Sequence, residues 1–387
     1  MSIPMQFPDT YESYKDIPEM VKNISIIVGN GFDLSLFSYL NRSQNTSFVR
    51  FYYFLRSNGI GDDNCLVRKM KERKDKGEEN WSDFETAIEE VAASRWPSRN
   101  SLDRDRAQLR EKFLEYLNFV VSPDVLIKLD RLAKSKLWAY RTYAQFTADL
   151  DSWQLKNFQF IKGLQHRNIF QYDIFNLNYT SILDTYLFLD DKQFKPFEYQ
   201  TSDRNFEFRI NPRDFPINGA SADTGLIGYL LTNIHHPHGA QAIPRSLLFG
   251  TGSQSQRDDL SKAYWGQLDR RYEPILSQSD LFILFGCSIG ESDNWWWNKI
   301  GMSLADGEKT SELIIYRWEK GSLDKDIKDI FIKNYVEPNL KCDSSEVVSR
   351  LYDVRDRIYV VNYESSFDHS AFVFIEEEYK PHNRRPL

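Results

Sequence analysis

The sequence predicts an α/β fold whose mostly parallel sheet carries a large helical insertion. Three observations predict it. Ile24–Val28 and Leu281–Phe285 are short, unbroken apolar runs, the pattern of strands buried on both faces of a parallel sheet. Each run ends in a glycine, Gly29 or Gly286, followed by small polar residues and then a helical pattern. The order of apolar strand, turn and helix recurs along the chain.

The elements follow in order. After Ile24–Val28, Asp33–Leu40 reads as a helix. Thr46–Leu55 reads as a second, with Thr46 its N-cap. Residues 58–80 are charged and glycine-punctuated, which predicts a loop excursion. Ser82 and Glu85 are spaced as a capping box opening a helix. Asp103–Val120, Val125–Lys134 and a long Trp138–Leu164 segment have helical spacing. Strand character returns at Tyr172–Leu177, with a helix from Ser181. FEFRI, Thr232–His235 and Leu247–Phe249 are further strand candidates. Asp258–Arg271 and Glu291–Leu304 read as helices, the latter holding Trp295–Trp297, of which at least one belongs in the core. Leu281–Phe285, Leu313–Tyr316 and Ile358–Val361 complete the strands.

The 387-residue length allows roughly two to three domains. No Pro/Gly/Ser-rich linker sets off residues 60–165, so they read as an insertion in one α/β domain spanning 20–380, after an N-terminal extension, 1–19. The net charge of −7 disfavours a protein that grips nucleic-acid phosphates. Three scattered cysteines, Cys65, Cys287 and Cys342, build neither a disulfide framework nor a four-thiolate zinc site. They fit a reduced cytoplasmic setting. The first twenty residues lack a signal-peptide pattern, and no apolar run approaches the ~18 residues of a membrane span. The 27 Phe, 21 Tyr and 9 Trp mostly supply core, with some free to stack on flat ligands.

Four segments carry candidate chemistry. GNGFD at 29–33 lets the backbone turn sharply after a buried strand and approach a ligand, with helix-start amides that favour an anion. It falls short of the dinucleotide fingerprint, since Leu34 stands at the third glycine position, and a structural βα turn accounts for it equally well. FNLNYT at 175–180 lies at a strand's carboxyl end, where Asn178 can hold a water or a ribose hydroxyl, or simply form a turn. IHHPHG at 234–239 holds three of the six histidines. A histidine there suits a general base. No metal is expected, because Pro237 and the alternation prevent three rings converging on one ion. FGCSIGESD at 285–293 repeats the first motif. Gly286 and Ser288 can face a phosphate or ribose, Asp293 can bind a hydroxyl or cap a helix, and Cys287 reads as packing rather than a nucleophile.

GNGFD, WSDFE at 81–85, F-N-x-N-Y-T, H-G and F-G-x-S-x-G-E-S-D, in that order over about residues 24–300, resemble the bacterial AbiH family of phage abortive-infection proteins. That family in turn is similar to sirtuin-type domains, including NAD-cleaving antiviral effectors. The resemblance implies a Rossmann-like, sirtuin-like sheet. It implies that Gly29, Asn30, Gly31, Phe32 and Asp33 form the cofactor turn, with Tyr179, Gly286, Ser288 and Asp293 completing the NAD site. It assigns the catalytic roles to Asn178, which positions water and ribose, and to His238, which acts as base. Thr180 stands where many sirtuins have Asp, Cys287 where AbiH sequences commonly have His, and the sirtuin zinc module is absent, which argues against deacetylation.

The resulting expectation is an antiphage effector that binds NAD as substrate and hydrolyses its nicotinamide–ribose bond. A phage-derived trigger and self-association are its candidate protein partners. The alternative is a nucleotide-binding sensor that acts through a partner. A nuclease-like toxin is disfavoured by the acidic charge and by the lack of a carboxylate–metal constellation.

Overall fold

Val21–Val28 forms β1, whose last five residues are buried. Alternate side chains leave a strand on opposite faces. Ile24, Ile26 and Val28 enter one core cluster, and Ile27 enters another. A strand covered on both faces must be apolar throughout, and this is the physical reason for the run that the sequence shows.

The computed structural model describes residues 21–94, 98–133, 136–188, 206–213, 225–248, 268–290, 293–318, 324–340, 346–364 and 369–374. Among them a seven-stranded sheet has the order β3-β4-β2-β1-β5-β6-β7. The further strands are β2 (Ile169–Asn176), β3 (Phe206–Arg209), β4 (Gly225–His235), β5 (Leu281–Phe285), β6 (Glu312–Trp318) and β7 (Ile358–Tyr363). Six strands run parallel, and β3 pairs antiparallel with β4 at one edge. With that edge strand set aside, the parallel strands follow the doubly wound order 3-2-1-4-5-6. The fold is α/β and Rossmann-like. Strand order reverses between β1 and β5, and a ligand crevice is expected at their carboxyl ends.

Among the described residues, the passage from β1 to β2 carries eight α-helices: α1 (Gly31–Tyr39), α2 (Phe48–Ser57), α3 (Cys65–Asp75), α4 (Phe84–Ala93), α5 (Arg99–Val120), α6 (Pro123–Ala133), α7 (Trp138–Ala144) and α8 (Ser152–Asn157). They pack over the sheet face formed by Ile24, Ile26 and Val28. Later helices include α9 (Ile182–Phe188), α10 (Leu268–Arg271), α11 (Glu273–Leu276), α12 (Asn294–Ala305), α13 (Asp324–Phe331) and α14 (Val347–Asp356). The second core holds Trp296 and Trp297 of α12. None of the helices among the described residues is long and apolar enough to cross a membrane.

Several local readings are corrected. The expected loop at 58–80 contains α3, because Asn64 accepts the Leu66 and Val67 N–H groups while Leu66, Val67 and Met70 are buried. Ser47, not Thr46, caps α2. Asp83, not Ser82, caps α4 by accepting from Glu85 and Thr86. The long Trp138–Leu164 helix is broken, since Asp151 and Gln154 form a capping box that starts α8 afresh. Leu247 lies outside any strand, and Phe249 is outside the described residues, as are residues 1–19 and most of Asp258–Arg271.

Candidate functional site

β1 and β5 deliver two glycine turns to the reversal point. The Gly29 N–H donates to Phe285 O and the Gly31 N–H to Gly286 O, each at 2.9 Å. A Cβ on Gly29 would lie 2.6 Å from Gly286 O, and one on Gly31 would lie 2.5 Å from Gly286 Cα. Gly286 itself has φ +64°. These glycines are required because the two turns touch backbone to backbone. Phe32 N–H is also used, donating to Gly29 O. The amides expected to face a phosphate at Gly29, Gly31 and Phe32 are therefore donated within the protein. The Phe32 side chain, expected at the ligand, packs instead in the core against Tyr186 and Phe374. Asn30 is fixed by Thr46, whose hydroxyl donates to Asn30 Oδ1 at 2.6 Å.

Asp33 sits in the first turn of α1 and is fully buried. Thr180 Oγ1 donates to its Oδ2 at 2.6 Å, and Asn178 Nδ2 approaches its Oδ1 at 3.3 Å. Burial pushes the carboxyl up to about 7; the Thr180 hydrogen bond pulls against this, and the nearby Asp184 charge adds to it. Asp33 can therefore take or give a proton near neutral pH.

Asn178 follows β2. Its N–H donates to Asn176 Oδ1 at 3.0 Å and its Nδ2 to Gly29 O at 3.1 Å. The bonds it makes with the protein run through nitrogen, which leaves Oδ1 for the cavity that Asn178 lines.

His238 follows β4 and is buried. A carbonyl only accepts, so the 3.0 Å contact with Leu177 O places a proton on Nδ1. Nε2 lies 3.3 Å from Asp293 Oδ1, a carboxylate placed to stabilise the imidazolium that forms when Nε2 takes up a proton. The following turn requires Gly239, at φ +85°, where a Cβ would strike Ser246. The other two histidines of the cluster diverge. His235 pairs with Asp173 and His236 with Asp184, both at 2.8 Å. Among the described residues, no group of three or more His, Cys, Asp or Glu is placed to hold a metal ion.

One cavity of about 870 Å³ joins these groups. Of the residues expected at the site, Gly29, Asn30, Gly31, Asp33, Asn178, Tyr179, His238, Gly286, Ser288 and Asp293 all line it. Its size lies within the range of small-molecule sites. Cys287 also lines it, but burial pushes its thiol well up, so it stays protonated and is no nucleophile. Thr180 and Glu85 are cavity residues whose roles sequence reasoning missed.

Residues 26–316 match the family described as Bacteriophage abortive infection AbiH. The chain belongs to that family. The AbiH match runs from within β1 to within β6 and spans every cavity residue expected from the sequence, so the constellation lies wholly inside the family's own region. Membership places the chain among phage abortive-infection proteins. None of the curated proteins matches the AbiH chain.

Proposed function

We propose that this abortive-infection protein binds NAD in the cavity and hydrolyses the nicotinamide–ribose bond. The observation that carries the reading is the meeting of Asn178 from β2, His238 from β4 and the GNGFD turn from β1 in one cavity at the strand-order reversal. The order of these residues, similar to that of sirtuin-type domains, also supports it.

Cleavage of an N-glycosidic bond passes through an oxocarbenium-like state, as in glycoside hydrolysis. Asn178 Oδ1 accepts from the attacking water or a ribose hydroxyl and fixes its direction. His238 Nε2 takes the water's proton as the oxygen bonds to the anomeric carbon. The electron pair of the breaking C–N bond leaves with nicotinamide, which departs neutral. Asp33, poised near 7, is a second proton acceptor within the same cavity. Loss of NAD would arrest an infected cell.

The test is incubation of the purified chain with NAD, with and without lysate from phage-infected cells, following nicotinamide release. Release that depends on Asn178 supports the reading. No release under either condition, or full release by Asn178→Ala, sinks it.

A sensor reading draws on the same geometry, because Asn178 Nδ2 also fastens the Gly29 turn to β2. A ligand there would stiffen the site without being consumed. NAD would then raise the melting temperature and be recovered intact.

A further inference from the structure

The segment 177–180, which follows β2, gathers the groups of the site. His238 is fixed at its start, through the 3.0 Å contact of Nδ1 with Leu177 O. Asn178 comes next. Thr180 ends the segment, bonded through Oγ1 to Asp33 Oδ2 at 2.6 Å. His238, Asn178, Thr180 and Asp33 all line the cavity. One short stretch of chain thus holds an imidazole at one end and a carboxyl at the other.

The Thr180–Asp33 pair has the form of a proton relay. Asn178 Nδ2 only donates, so Asp33 Oδ1, which it approaches at 3.3 Å, stays an acceptor. A proton on Asp33 then sits on Oδ2, where the Thr180 hydroxyl can accept it. A hydroxyl has a single hydrogen, and accepting from Asp33 turns that hydrogen away from the carboxyl. Among the described residues the Thr180 hydroxyl has no other partner, so its hydrogen is left for a group in the cavity. Burial raises the Asp33 carboxyl to about 7, against the pull of the Thr180 hydrogen bond, and the charge of Asp184 raises it further. Asp184, in α9, is itself paired with His236. Glu85 and Asp293 place acidic groups along the same cavity, and His238 and Arg317 basic ones.

Cleavage of NAD makes no use of a proton donor, because nicotinamide leaves as a neutral molecule. A riboside of an uncharged base is different. Its base departs as an anion unless a proton reaches it while the bond breaks, and supplying that proton is general-acid catalysis. A purine presents N7, a lone pair outside the glycosidic bond, to take it.

We propose that the Thr180 hydroxyl, fed by Asp33, is the general acid of this cavity, and that it admits purine ribosides with an uncharged base as substrates. The proposal rests on the N-glycosidic chemistry given above to Asn178 and His238, but not on NAD as the substrate. The water oxygen bonds to the anomeric carbon while its proton passes to His238 Nε2. The electron pair of the C–N bond goes to the base. The base takes the Thr180 hydrogen at N7, Thr180 takes the Asp33 proton, and Asp33 is left ionised. Exchange with solvent returns His238 and Asp33 to their starting forms.

The test follows base release from guanosine and from 7-methylguanosine by the full chain, with NAD in parallel. In 7-methylguanosine the base is already cationic and N7 is blocked, so no acid is needed. The wild type is expected to release guanine at a rate that falls as pH rises through about 7. At about pH 6, Asp33→Asn and Thr180→Val are each expected to lower guanosine cleavage by ~10²–10⁴ relative to 7-methylguanosine cleavage. Thr180→Ser, which keeps the hydroxyl, restores the ratio. Thr180→Val is the sharper variant, because it leaves Asp33 protonated while deleting the relay. No guanine release by the wild type, with or without lysate from phage-infected cells and above that of the lysate alone, overturns the proposal, and nicotinamide release in the same preparation then leaves the NAD reading standing. Equal losses on the two purine ribosides in folded variants overturn it as well, since a structural role lowers both. A selective loss on guanosine, in a chain that never releases nicotinamide, upholds the acid and removes NAD as the substrate.

Discussion

Thr180 donates a 2.6 Å hydrogen bond to a carboxylate, Asp33, that has no exposure to solvent. Asp33 releases its proton near 3.8 in an unfolded chain and near 7 in the folded one. Between these values the folded state holds a proton that the unfolded state has lost, so stability falls as pH rises through the window. About three pH units at about 1.4 kcal/mol each sets the effect on the order of 4 kcal/mol. Asp33→Asn removes it. Urea denaturation at about pH 5 and about pH 8 is expected to show a smaller loss of stability in Asp33→Asn than in wild type. Thr180→Val deletes the bond that holds the carboxyl down, so ionisation moves above 7. Equal pH dependence in wild type and Asp33→Asn would refute the assignment.

Asn178 and His238 are separable by kinetics. His238→Gln retains a hydrogen-bonding side chain but supplies no base, and is expected to lower kcat for nicotinamide release by ~10²–10⁴ with little change in KM. Asn178→Ala loses both the acceptor facing the cavity and the tie to Gly29, so both kcat and KM should worsen. Cys287→Ser retains release, because the thiol is held protonated. Steady-state rates on the three variants check this, and loss of release in Cys287→Ser would point to a covalent route.

The parts of the site legible in the sequence are those written in consecutive residues. Gly29, Gly31 and Gly286 announce themselves because glycine at the end of a buried apolar strand marks a turn too tight for a side chain. Asn178 and His238 are legible by their motif order. The Thr180–Asp33 bond is not, since 147 positions separate the two residues and either side chain alone reads as a helix-start polar group. Glu85 reads in sequence as a capping partner, and its burial against Tyr179 depends on how α4 docks on the sheet. The same limit applies to α3, whose charges mask the apolar positions Leu66, Val67 and Met70, and to α8, where continuing helical periodicity hides a local capping box at Asp151. Periodicity reports which residues prefer the inside. It does not report where a competing side-chain cap breaks the backbone.

The contact between the two glycine turns gives a stability prediction. In Gly31→Ala the new methyl meets Gly286 backbone atoms at 2.5–3.1 Å, and backbone cannot swing aside as a side chain can. Overpacking of this kind costs about 1–3 kcal/mol. Gly290→Ala is the control, because a Cβ there meets nothing within 4 Å, and it should stay within about 0.5 kcal/mol of wild type. Thermal and urea denaturation of the two variants distinguish them. A neutral Gly31→Ala would show that the turns are not held in backbone contact in solution.

The segment 369–374 has a structural role that its sequence does not advertise, since it lies beyond the family match. Asp149 accepts from the Ala371 N–H at 3.0 Å and from the Tyr316 hydroxyl at 2.7 Å, anchoring the segment to β6. Phe372 then stacks on Phe285 at 4.4 Å and meets Phe32 edge-on at 6.2 Å. Phe285 precedes Gly286 and Phe32 follows Gly31, so one buried ring packs against the residues flanking both glycine turns. Phe372→Ala is expected to cost about 3–5 kcal/mol. Phe119→Ala, at a ring 57% exposed, should cost far less. Because the lost ring packs against the residues flanking the turns, a Phe372→Ala protein that remains folded at low temperature should also bind NAD more weakly than Phe119→Ala. Equal affinity in the two would show that the segment stabilises the fold without shaping the cavity.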